Sequence, residues 1–444
     1  MAKDMTNRGA ESAAEEQVDS GSRGSAPGAA DRGMSHEDSL ELKADLATDV
    51  TPGESPVHEA GVESAPSALS EDAEGAPVAG GAAAVYVAPA WQMTWWRFRK
   101  HKLAVVCLWV FGAVALISLA PGFFATQDPT ASAASNAYIP PQTVSVVHEG
   151  RLVWPFVYGM EGQRNQRTLR MEWVRDPETR YPLRFLTQGY EYKLFGLIPT
   201  NRHFIGFAGA SGRDIPHLLG TDRLGRDQWS RLMFGTQISL SIGLVAVAIS
   251  TILGIVLGGI SGYFGGWVDN VIQRLIELLQ ALPPIPIWLA LSASLPRTWP
   301  VTWVYFAITV ILALLGWTRL AREVRGRFLS LREEDFVTAA RLVGANRSRV
   351  IFSHMVPSFT SHIIAAVTLA IPLMILNETF LSFLGLGMRP PAISWGVMLQ
   401  EAQNLQSVVN APWLMIPGLF VIVTVLALNI LGDGLRDAAD PYSS

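Results

Sequence analysis

The chain has 444 residues, of which 49% are hydrophobic and 16% are charged, and its formal net charge is −4. A soluble domain usually carries about a quarter charged residues, so this composition indicates a membrane protein. The single cysteine, Cys107, excludes an intramolecular disulfide and a metal cluster built from cysteines. None of the five lysines follows a glycine, which excludes a G-x-x-x-x-G-K-[ST] phosphate loop.

The first segment, residues 1–90, is rich in Ala, Gly, Ser, Pro and acidic residues. Residues 1–85 contain 17 Asp or Glu, 5 Lys or Arg and no Phe, Trp or Tyr. A segment this polar buries too little apolar surface to offset the conformational entropy lost on folding. We therefore predict a disordered acidic tail. It is either a solvated extension, the product of a start codon assigned before Met34 or Met93, or a tether with a regulatory role.

Six predominantly apolar runs are long enough to cross a hydrocarbon core of about 30 Å. In chain order they are Leu103–Gln127, Ile238–Gly258, Leu278–Pro296, Thr298–Thr318, Ser361–Leu386 and Pro412–Gly432. The third run contains Pro283, Pro284 and Pro286, which remove backbone donors and must kink or break its helix. Glycines at positions 243, 254 and 258 of the second run, and Gly259 just after it, permit close approach of another helix. The predicted fold class is an all-α integral membrane protein with six transmembrane helices.

Between the first two spans, residues 128–231 are polar and mixed, with Tyr, Trp and Pro spread through them. The runs Thr143–Val147 and Arg151–Tyr158 favour strands, so we expect a folded insert of mixed structure. The predicted domains are the tail at 1–90, a basic segment with the first span at 91–127, the insert at 128–231, and a core at 232–444 that includes a coupling loop at 319–357.

Positive charges predict the orientation in the membrane. Four fixed positive charges lie between Arg97 and Lys102, just before the first span. The loop between spans four and five carries eight arginines, at positions 319, 322, 325, 327, 332, 341, 347 and 349. Because Lys and Arg are enriched in cytoplasmic loops, this loop and both termini are predicted to be cytoplasmic, and the insert extracytoplasmic.

A motif at the end of the insert alternates acids and bases among glycines. Its members are Gly220, Thr221, Asp222, Gly225, Arg226 and Asp227. Such charges at a membrane boundary can form a compact, salt-bridged turn ahead of a helix, where water partly screens them. A metal-binding or peptide-binding role is the alternative, but no clustered set of His or carboxylate ligands accompanies the motif, so we favour a structural role.

The loop between spans four and five contains a helical pattern. Ser330 and Glu333 fit a capping box, which predicts that a short helix begins there. An apolar stripe follows at helical spacing and consists of Phe336, Ala339, Ala340 and Val343. The stripe either inserts into a groove of another protein or rests on lipid headgroups, and the spacing alone does not decide between the two.

The same loop is predicted to contain a second short helix. Gly344 ends the first helix, because a turn between two short helices commonly requires a left-handed backbone. Asn346 is a good N-cap for the second helix, which is expected to run to Pro357. The result is a bent helical hairpin.

Glu378 is an ionisable residue within the fifth span. Ionisable residues are rare inside membrane spans and usually have a function there, so Glu378 is a candidate functional residue. It could relay protons in a secondary transporter. No second buried acid or histidine pairs with it in an evident pattern, so we favour a structural or gating role. Glu277 is expected to pair with Arg274 at the membrane surface. His354 and His362 have no third ligand at a fitting spacing, which argues against a metal site.

Several strings resemble those of a known family. The string FVTAARLVG at 336–344, with Pro357 after it, resembles the E-A-A-x-x-x-G loop by which ABC importer permeases dock their ATPases, although Thr338 stands where that family usually has Glu. The string LGTDRLGRDQWSRLMFG at 219–235 resembles a signature of the dipeptide, oligopeptide and nickel importer permeases. LSFLGLG at 381–387 and NILGDGLRD at 429–437 resemble the second permease subunit of that group.

The resemblance implies a permease subunit in the cell membrane that forms half of the pathway for peptides or similar solutes. It implies four kinds of partner, namely a second permease in a heterodimer, two ATPase subunits or one heterodimeric pair, an extracytoplasmic solute-binding protein and the lipid bilayer, with no nucleic acid. ATP and Mg would bind to the ATPases, so no cofactor, metal or catalytic residue is expected on this chain. The coupling residues implied are Phe336, Ala339, Ala340, Val343, Gly344 and Pro357. The alternative function is an ion- or proton-coupled secondary transporter that uses Glu378.

Overall fold

The computed structural model describes residues 90–164, 166, 171–210 and 214–439. The predicted acidic tail at 1–90 lies outside the described residues, apart from the backbone of its last residue. Its disorder therefore stays a prediction.

The described residues are mostly helical. The α-helices are, in chain order, α1 Ala90–Lys100, α2 Lys102–Leu119, α3 Pro121–Phe124, α4 Gln228–Phe264, α5 Gly266–Ala281, α6 Pro284–Ala293, α7 Val301–Leu331, α8 Asp335–Leu342, α9 Arg347–Arg349, α10 Val356–Ser358, α11 Thr360–Phe383, α12 Trp395–Gln400, α13 Leu405–Asn410 and α14 Ile416–Ala439. Short 3₁₀ helices cover Ala134–Asn136, Glu401–Gln403 and Pro412–Met415, and a π-helix covers Val350–Met355.

Among the described residues, five helices are long and apolar enough to cross a membrane, and the number is six if the pair of α5 and α6 counts as one span. These two helices are bent by 84° relative to each other. The break follows from the prolines, because Pro283 and Pro284 cannot donate backbone hydrogen bonds, whereas a proline is well suited to start a helix. The chain is a multi-pass membrane protein, and the predicted break in the third run is confirmed.

The ends of the spans differ from the uncharged runs. α2 ends at Leu119, well before the predicted end at Gln127, because Pro121 starts a separate turn of helix. In contrast, α4 has 37 residues and α7 has 31, which correspond to about 55 and 46 Å. Both exceed the hydrocarbon thickness of about 30 Å, so their ends continue into water, where the charged residues that ended the uncharged runs remain helical.

Glycines of α4 permit close packing in the helix bundle. A Cβ atom at Gly258 would overlap the backbone of Ala321 in α7. A Cβ atom at Gly243 would lie 2.6 Å from Cγ1 of Ile375 in α11. The predicted close helix approach at these glycines is therefore confirmed, and it places α4 between α7 and α11.

Four strands form one antiparallel sheet in chain order, namely β1 Ser145–His148, β2 Arg151–Arg164, β3 Met171–Leu194 and β4 Ile198–Phe207. The first half of β3 pairs with β2 as far as Pro182, and its second half pairs with β4 from Leu183 onwards. The sheet lies within the residues predicted as a mixed insert, 128–231, so the described chain is not all-α. The side of the membrane that it occupies stays a prediction.

Candidate functional site

Asp222 organises the turn formed by Gly220–Asp227, just before α4. Its carboxylate accepts hydrogen bonds from the backbone N–H groups of Leu224 at 2.8 Å and Arg226 at 3.0 Å, and from Nε of Arg226 at 2.6 Å. Asp222 is fully buried. The predicted salt bridge is confirmed, but the expectation that water screens these charges is wrong, because the carboxylate lies inside the protein.

The glycines of the Gly220–Asp227 turn are required by its backbone. Gly220 and Gly225 have φ angles of +75° and +70°, which residues with side chains rarely adopt. A Cβ atom at Gly225 would also overlap the carbonyl oxygen of Ala133. The buried Thr221 hydroxyl donates to the carbonyl oxygen of Asn136 at 2.6 Å. The turn is therefore packed against the segment that follows α3.

Asp227 joins this turn to α4. It is the N-cap of the helix, and its carboxylate accepts hydrogen bonds from the backbone N–H of Ser230 at 2.8 Å and from the Ser230 hydroxyl at 2.6 Å. Nδ1 of His217 lies 3.0 Å from its other oxygen. Asp227 and His217 are both buried, so this acid is occupied by contacts within the chain.

Glu401 completes the turn, and the sequence analysis missed it. Its Oε1 lies 2.5 Å from Nη2 of Arg226, across 175 positions of the chain. Burial is the main cause that raises the pKa of the Glu401 carboxyl above its ordinary value, and the negative charge of Asp222 adds to it, whereas Arg226 lowers it. No local sequence signal identifies this residue, because the pairing depends on how the segment after α12 packs against the turn.

Glu378 lies in a buried hydrogen-bonded cluster. It is fully buried, and its carboxylate accepts hydrogen bonds from the hydroxyls of Ser239 in α4 at 2.9 Å and Ser382 at 2.8 Å. The Ser239 hydroxyl also accepts from the backbone N–H of Trp395 at 3.1 Å. Glu378 thus connects α11, α4 and the start of α12. Ser382 and Trp395 belong to strings that resemble the permease family, but the sequence did not show that they or Ser239 meet Glu378.

The capping box predicted at Ser330 and Glu333 is wrong. α7 continues to Leu331, so the Ser330 backbone is already helical and cannot serve as an N-cap. The next helix, α8, begins at Asp335 after Glu334, whose side chain makes no capping hydrogen bond. The fourth apolar run ends at charged residues, but its helix continues through them to Leu331. The next helix therefore begins later than predicted, at Asp335.

α8 is a two-sided helix. Val337 is fully buried, and the half-buried Ala340 packs on the same cluster, which includes Phe328 of α7. The opposite side exposes apolar side chains, with Phe336 41%, Leu342 84% and Val343 89% exposed. Ala339 is exposed as well. The predicted stripe is therefore correct for Phe336, Ala339 and Val343, whereas Ala340 lies at the boundary with the chain's own core and Leu342 was missed.

The turn after α8 has the predicted form. Gly344 has a φ angle of +83°, and the side chain of Asn346 caps α9 by accepting a hydrogen bond from the backbone N–H of Arg349 at 2.8 Å. The chain then stays helical through a π-helix to Ser358 and includes the exposed Pro357 in α10. The second helix predicted from Asn346 to Pro357 is thus confirmed.

Two arginines hold this loop on the end of α4. The guanidinium carbon of Arg341 lies 5.1 Å from the ring centre of Tyr263, and that of Arg347 lies 5.4 Å from the ring centre of Phe264. Both distances are within the range of cation–π attraction. The exposed side of α8 is therefore presented by a loop that is fixed against the membrane helices.

Charged pairs lie within α5 and between α5 and α7. Arg325 of α7 contacts both carboxylate oxygens of Asp269 in α5, each at 2.6 Å. The predicted pair of Arg274 and Glu277 is confirmed at 2.7 Å, on an exposed surface. In the described part of the chain, no group of three or more His, Cys, Asp or Glu side chains is arranged to hold a metal ion.

Two family profiles match the chain. The profile described as binding-protein-dependent transport system inner membrane component matches residues 254–442, which contain α8, the loop after it and Glu378. The profile described as the N-terminal TM domain of oligopeptide transport permease C matches residues 90–141, which contain α1 to α3. The β-sheet and the Gly220–Asp227 turn lie between the two matched ranges.

Curated relatives cover about half of the chain. The oligopeptide transport system permease protein OppC of Bacillus subtilis (strain 168) is 38% identical over 226 residues, which are 51% of this chain and 72% of that protein. A putative peptide permease protein of Brucella suis biovar 1 (strain 1330) is 41% identical over 226 residues, 51% of this chain and 73% of the relative. Among solved structures, the MetNI methionine ABC transporter in an inward-facing conformation matches with a TM-score of 0.37 and 15% identity, over 47% of this chain and 96% of that one.

Proposed function

The chain belongs to the family of binding-protein-dependent transport system inner membrane components, and we propose that it forms one half of a translocation pathway for peptides. The observation that carries the proposal is the similarity to oligopeptide and dipeptide transport permeases over most of their length. These relatives are transport subunits, so we expect transport without bond-making chemistry on this chain.

The break between α5 and α6 supports a pathway role. Non-helical backbone at membrane depth is tolerated only where protein buries it or where it lines a water-filled cavity. The two helices are bent by 84° at residues 282–283, within a stretch of membrane hydropathy. A simple membrane anchor would have no need for such a break.

Peptide uptake tests the proposed substrate class. Cells that lack the chain are complemented with it and supplied with radiolabelled di- and tetrapeptides, with nickel as the competing solute. We expect peptide uptake to depend on the chain, and nickel uptake to be unaffected. If nickel uptake but not peptide uptake depends on the chain, the proposed substrate class is wrong. If neither uptake depends on the chain, the proposed permease role is wrong.

We further propose that the exposed side of α8 binds a cytoplasmic ATPase subunit. Three large apolar side chains, Phe336, Leu342 and Val343, are exposed on a helix that its own loop holds in place. Apolar side chains on a short helix suit insertion into a groove of a partner protein. In this arrangement ATP and Mg bind to the partner, and this chain supplies the docking surface together with Gly344 and Pro357.

Copurification of the ATPase tests this docking surface. Leu342→Asp should abolish copurification and solute uptake, because it places a charge in the proposed contact without disturbing the buried Val337. Leu405→Asp is the matched control, since Leu405 is 77% exposed on α13, and it should leave copurification unchanged. Ala340→Glu and Gly344→Val should also abolish uptake, but the half-buried Ala340 makes the first of these less specific. Normal copurification with Leu342→Asp would contradict the proposal.

The remaining proposed partners follow from the proposal that this chain forms only one half of the translocation pathway. One bundle of five or six spans with one docking surface would require a second, related permease, and we propose a heterodimer with two ATPase subunits and an extracytoplasmic solute-binding protein. The substrate would then pass between the two permeases. Affinity purification from membranes should recover all of these proteins with the chain.

We propose that both termini and α8 are cytoplasmic and that the sheet is extracytoplasmic, in the cell membrane, because of the eight-arginine loop. Single cysteines in a Cys107→Ala background test this orientation. An impermeant thiol reagent should label Ala134→Cys in intact cells and should label Leu342→Cys only after lysis. The reverse pattern would overturn the proposed orientation without affecting the family assignment.

A further inference from the structure

The tip of the β3–β4 hairpin exposes three large apolar side chains. Phe195 is 57% exposed, Leu197 is 82% exposed and Ile198 is 58% exposed. The turn is tight, because the backbone N–H of Leu197 donates to the carbonyl oxygen of Leu194 at 3.1 Å. Such a cluster at the end of an extended hairpin is unfavourable in water. It therefore calls for a partner.

Phe195 occupies a backbone conformation that does not suit it. Its φ angle is +53°, next to Gly196 at +72°. Positive φ is uncommon for residues other than glycine, and it is unfavourable for a bulky aromatic residue. Glycine or asparagine would form the same turn with less strain, so the geometry of the turn does not explain why an aromatic ring is present here.

The tip lies close to the end of α2, a helix long and apolar enough to cross a membrane. A cavity of about 150 Å³ separates it from the end of α2, and its lining includes Leu119, Gly122, Phe195, Gly196, Phe234 and Gln237. Leu116 and Leu119 of α2 are 54% and 61% exposed on a helix that crosses the membrane. Phe195 at the tip and Leu119 at the exposed apolar end of α2 therefore line the same small cavity.

Contacts at the base of the hairpin hold the tip in this position. The buried His203 lies with Nδ1 2.8 Å from the carbonyl oxygen of Gly122 and with Nε2 3.0 Å from that of Tyr190. The ring of Phe204 lies 5.8 Å from that of Phe123 in α3. The hairpin is therefore fixed to the chain segment that follows α2, and these contacts set its position relative to the end of that helix.

We propose that the hairpin tip, Lys193–Ile198, inserts into the lipid leaflet on the side of the sheet and anchors the sheet to the membrane surface. Phe195, Leu197 and Ile198 enter the boundary between headgroups and acyl chains, where amphipathic membrane-binding segments bury their apolar residues. The exposed Lys193 reaches from the base of the tip towards lipid headgroups. We choose lipid as the partner because the tip lies beside Leu119, at the exposed apolar end of a helix that can span the membrane.

Spin labelling at Leu197 tests this proposal. The full-length chain with Cys107→Ala and Leu197→Cys carries a nitroxide and is reconstituted in vesicles of phosphatidylcholine and phosphatidylglycerol. We expect the label to collide with oxygen, which concentrates in lipid, and to collide with a water-soluble nickel complex less often than a label in water, because the tip is buried among headgroups and acyl chains. Ile198→Cys provides a second labelling site if Leu197→Cys does not fold.

Val174→Cys is the matched control. Val174 is an apolar residue of the same sheet, 48% exposed, and lies twenty positions before Leu194 on β3. Its label should be freely accessible to the nickel complex. Equal nickel accessibility at Leu197 and Val174 would overturn the proposal. Protection of the Leu197 label from both reagents would also overturn it, because that result places the label against protein and not in lipid.

Discussion

The Gly220–Asp227 turn and the exposed side of α8 place their chemically distinctive side chains in opposite environments. In the turn, Asp222, Asp227 and Arg226 are paired within the chain, and both acids are buried. On α8, Leu342 and Val343 are exposed although they are apolar. Charged residues with every contact supplied internally hold a structure together, whereas apolar residues left in water indicate that their partner is another molecule.

The largest expected effect comes from unpairing the turn. Arg226→Met removes the cation shared by Asp222 and Glu401 and leaves the buried Asp222 carboxylate with one ion pair, to Nε of the buried Arg231 at 3.7 Å. Loss of one member of a buried pair should lower the free energy of unfolding by about 3–5 kcal/mol. Thermal unfolding of the purified protein measures this. The exposed Arg223→Met is the control and should change stability by at most about 0.5 kcal/mol. Equal effects would contradict a structural turn.

Glu378 extends the same comparison into the membrane. Glu378→Leu leaves the hydroxyls of Ser239 and Ser382 without their acceptor and should cost about 1–3 kcal/mol in the free energy of unfolding. Glu378→Gln retains one acceptor and should cost less. Stability measured together with uptake decides its role. A Glu378→Gln protein with unchanged stability and no transport would contradict a structural role for this carboxylate.

Gly344 sharpens the comparison on the side of α8. Gly344→Ala should destabilise the loop by about 1–2 kcal/mol, because an L-residue disfavours a φ of +83°. Gly326→Ala in α7 is the matched control, since neither glycine has an atom within 4 Å of a new Cβ, and only Gly344 has a positive φ. Gly326→Ala should stabilise the helix by about 0.5–1 kcal/mol. Hydrogen exchange of the loop measures the effect of Gly344→Ala. If Gly344→Ala were stabilising, as Gly326→Ala is expected to be, the turn geometry would be contradicted.

The smallest expected effect is a pH dependence at Glu401. Its folded-state pKa is raised above 4.5 by burial and by Asp222. Because the pKa is raised on folding, the contribution of this group to stability is complete below pH 4.5 and is lost as the pH rises through the folded-state pKa. Glu401→Gln cannot ionise, so its thermal unfolding midpoint should decline less over this range than that of the unmodified chain. Parallel pH curves for the two proteins would contradict this prediction.

Short-range features of the fold were predictable from the sequence. Leu103 and the apolar residues after it identify a span, the prolines at 283 and 284 predict a break, and Asn346 and Gly344 predict a turn between helices. Each of these depends on the hydropathy or backbone preference of a few adjacent residues. The strings at 219–235 and 336–344 pointed to the permease family for the same reason, since a motif is a local pattern.

Burial and long-range pairing were decided only by the tertiary structure. The sequence shows Asp222 and Arg226 four positions apart, but it does not show that Glu401 joins them across 175 positions or that Ser239 meets Glu378 across 139. Periodicity likewise placed Ala340 in the apolar stripe, whereas the packing of α8 on the cluster that contains Phe328 leaves Ala340 half-buried and Leu342 in water. Periodicity shows that a helix has an apolar side. Which edge of that side is covered depends on the neighbouring helices, because burial is a property of the packed chain.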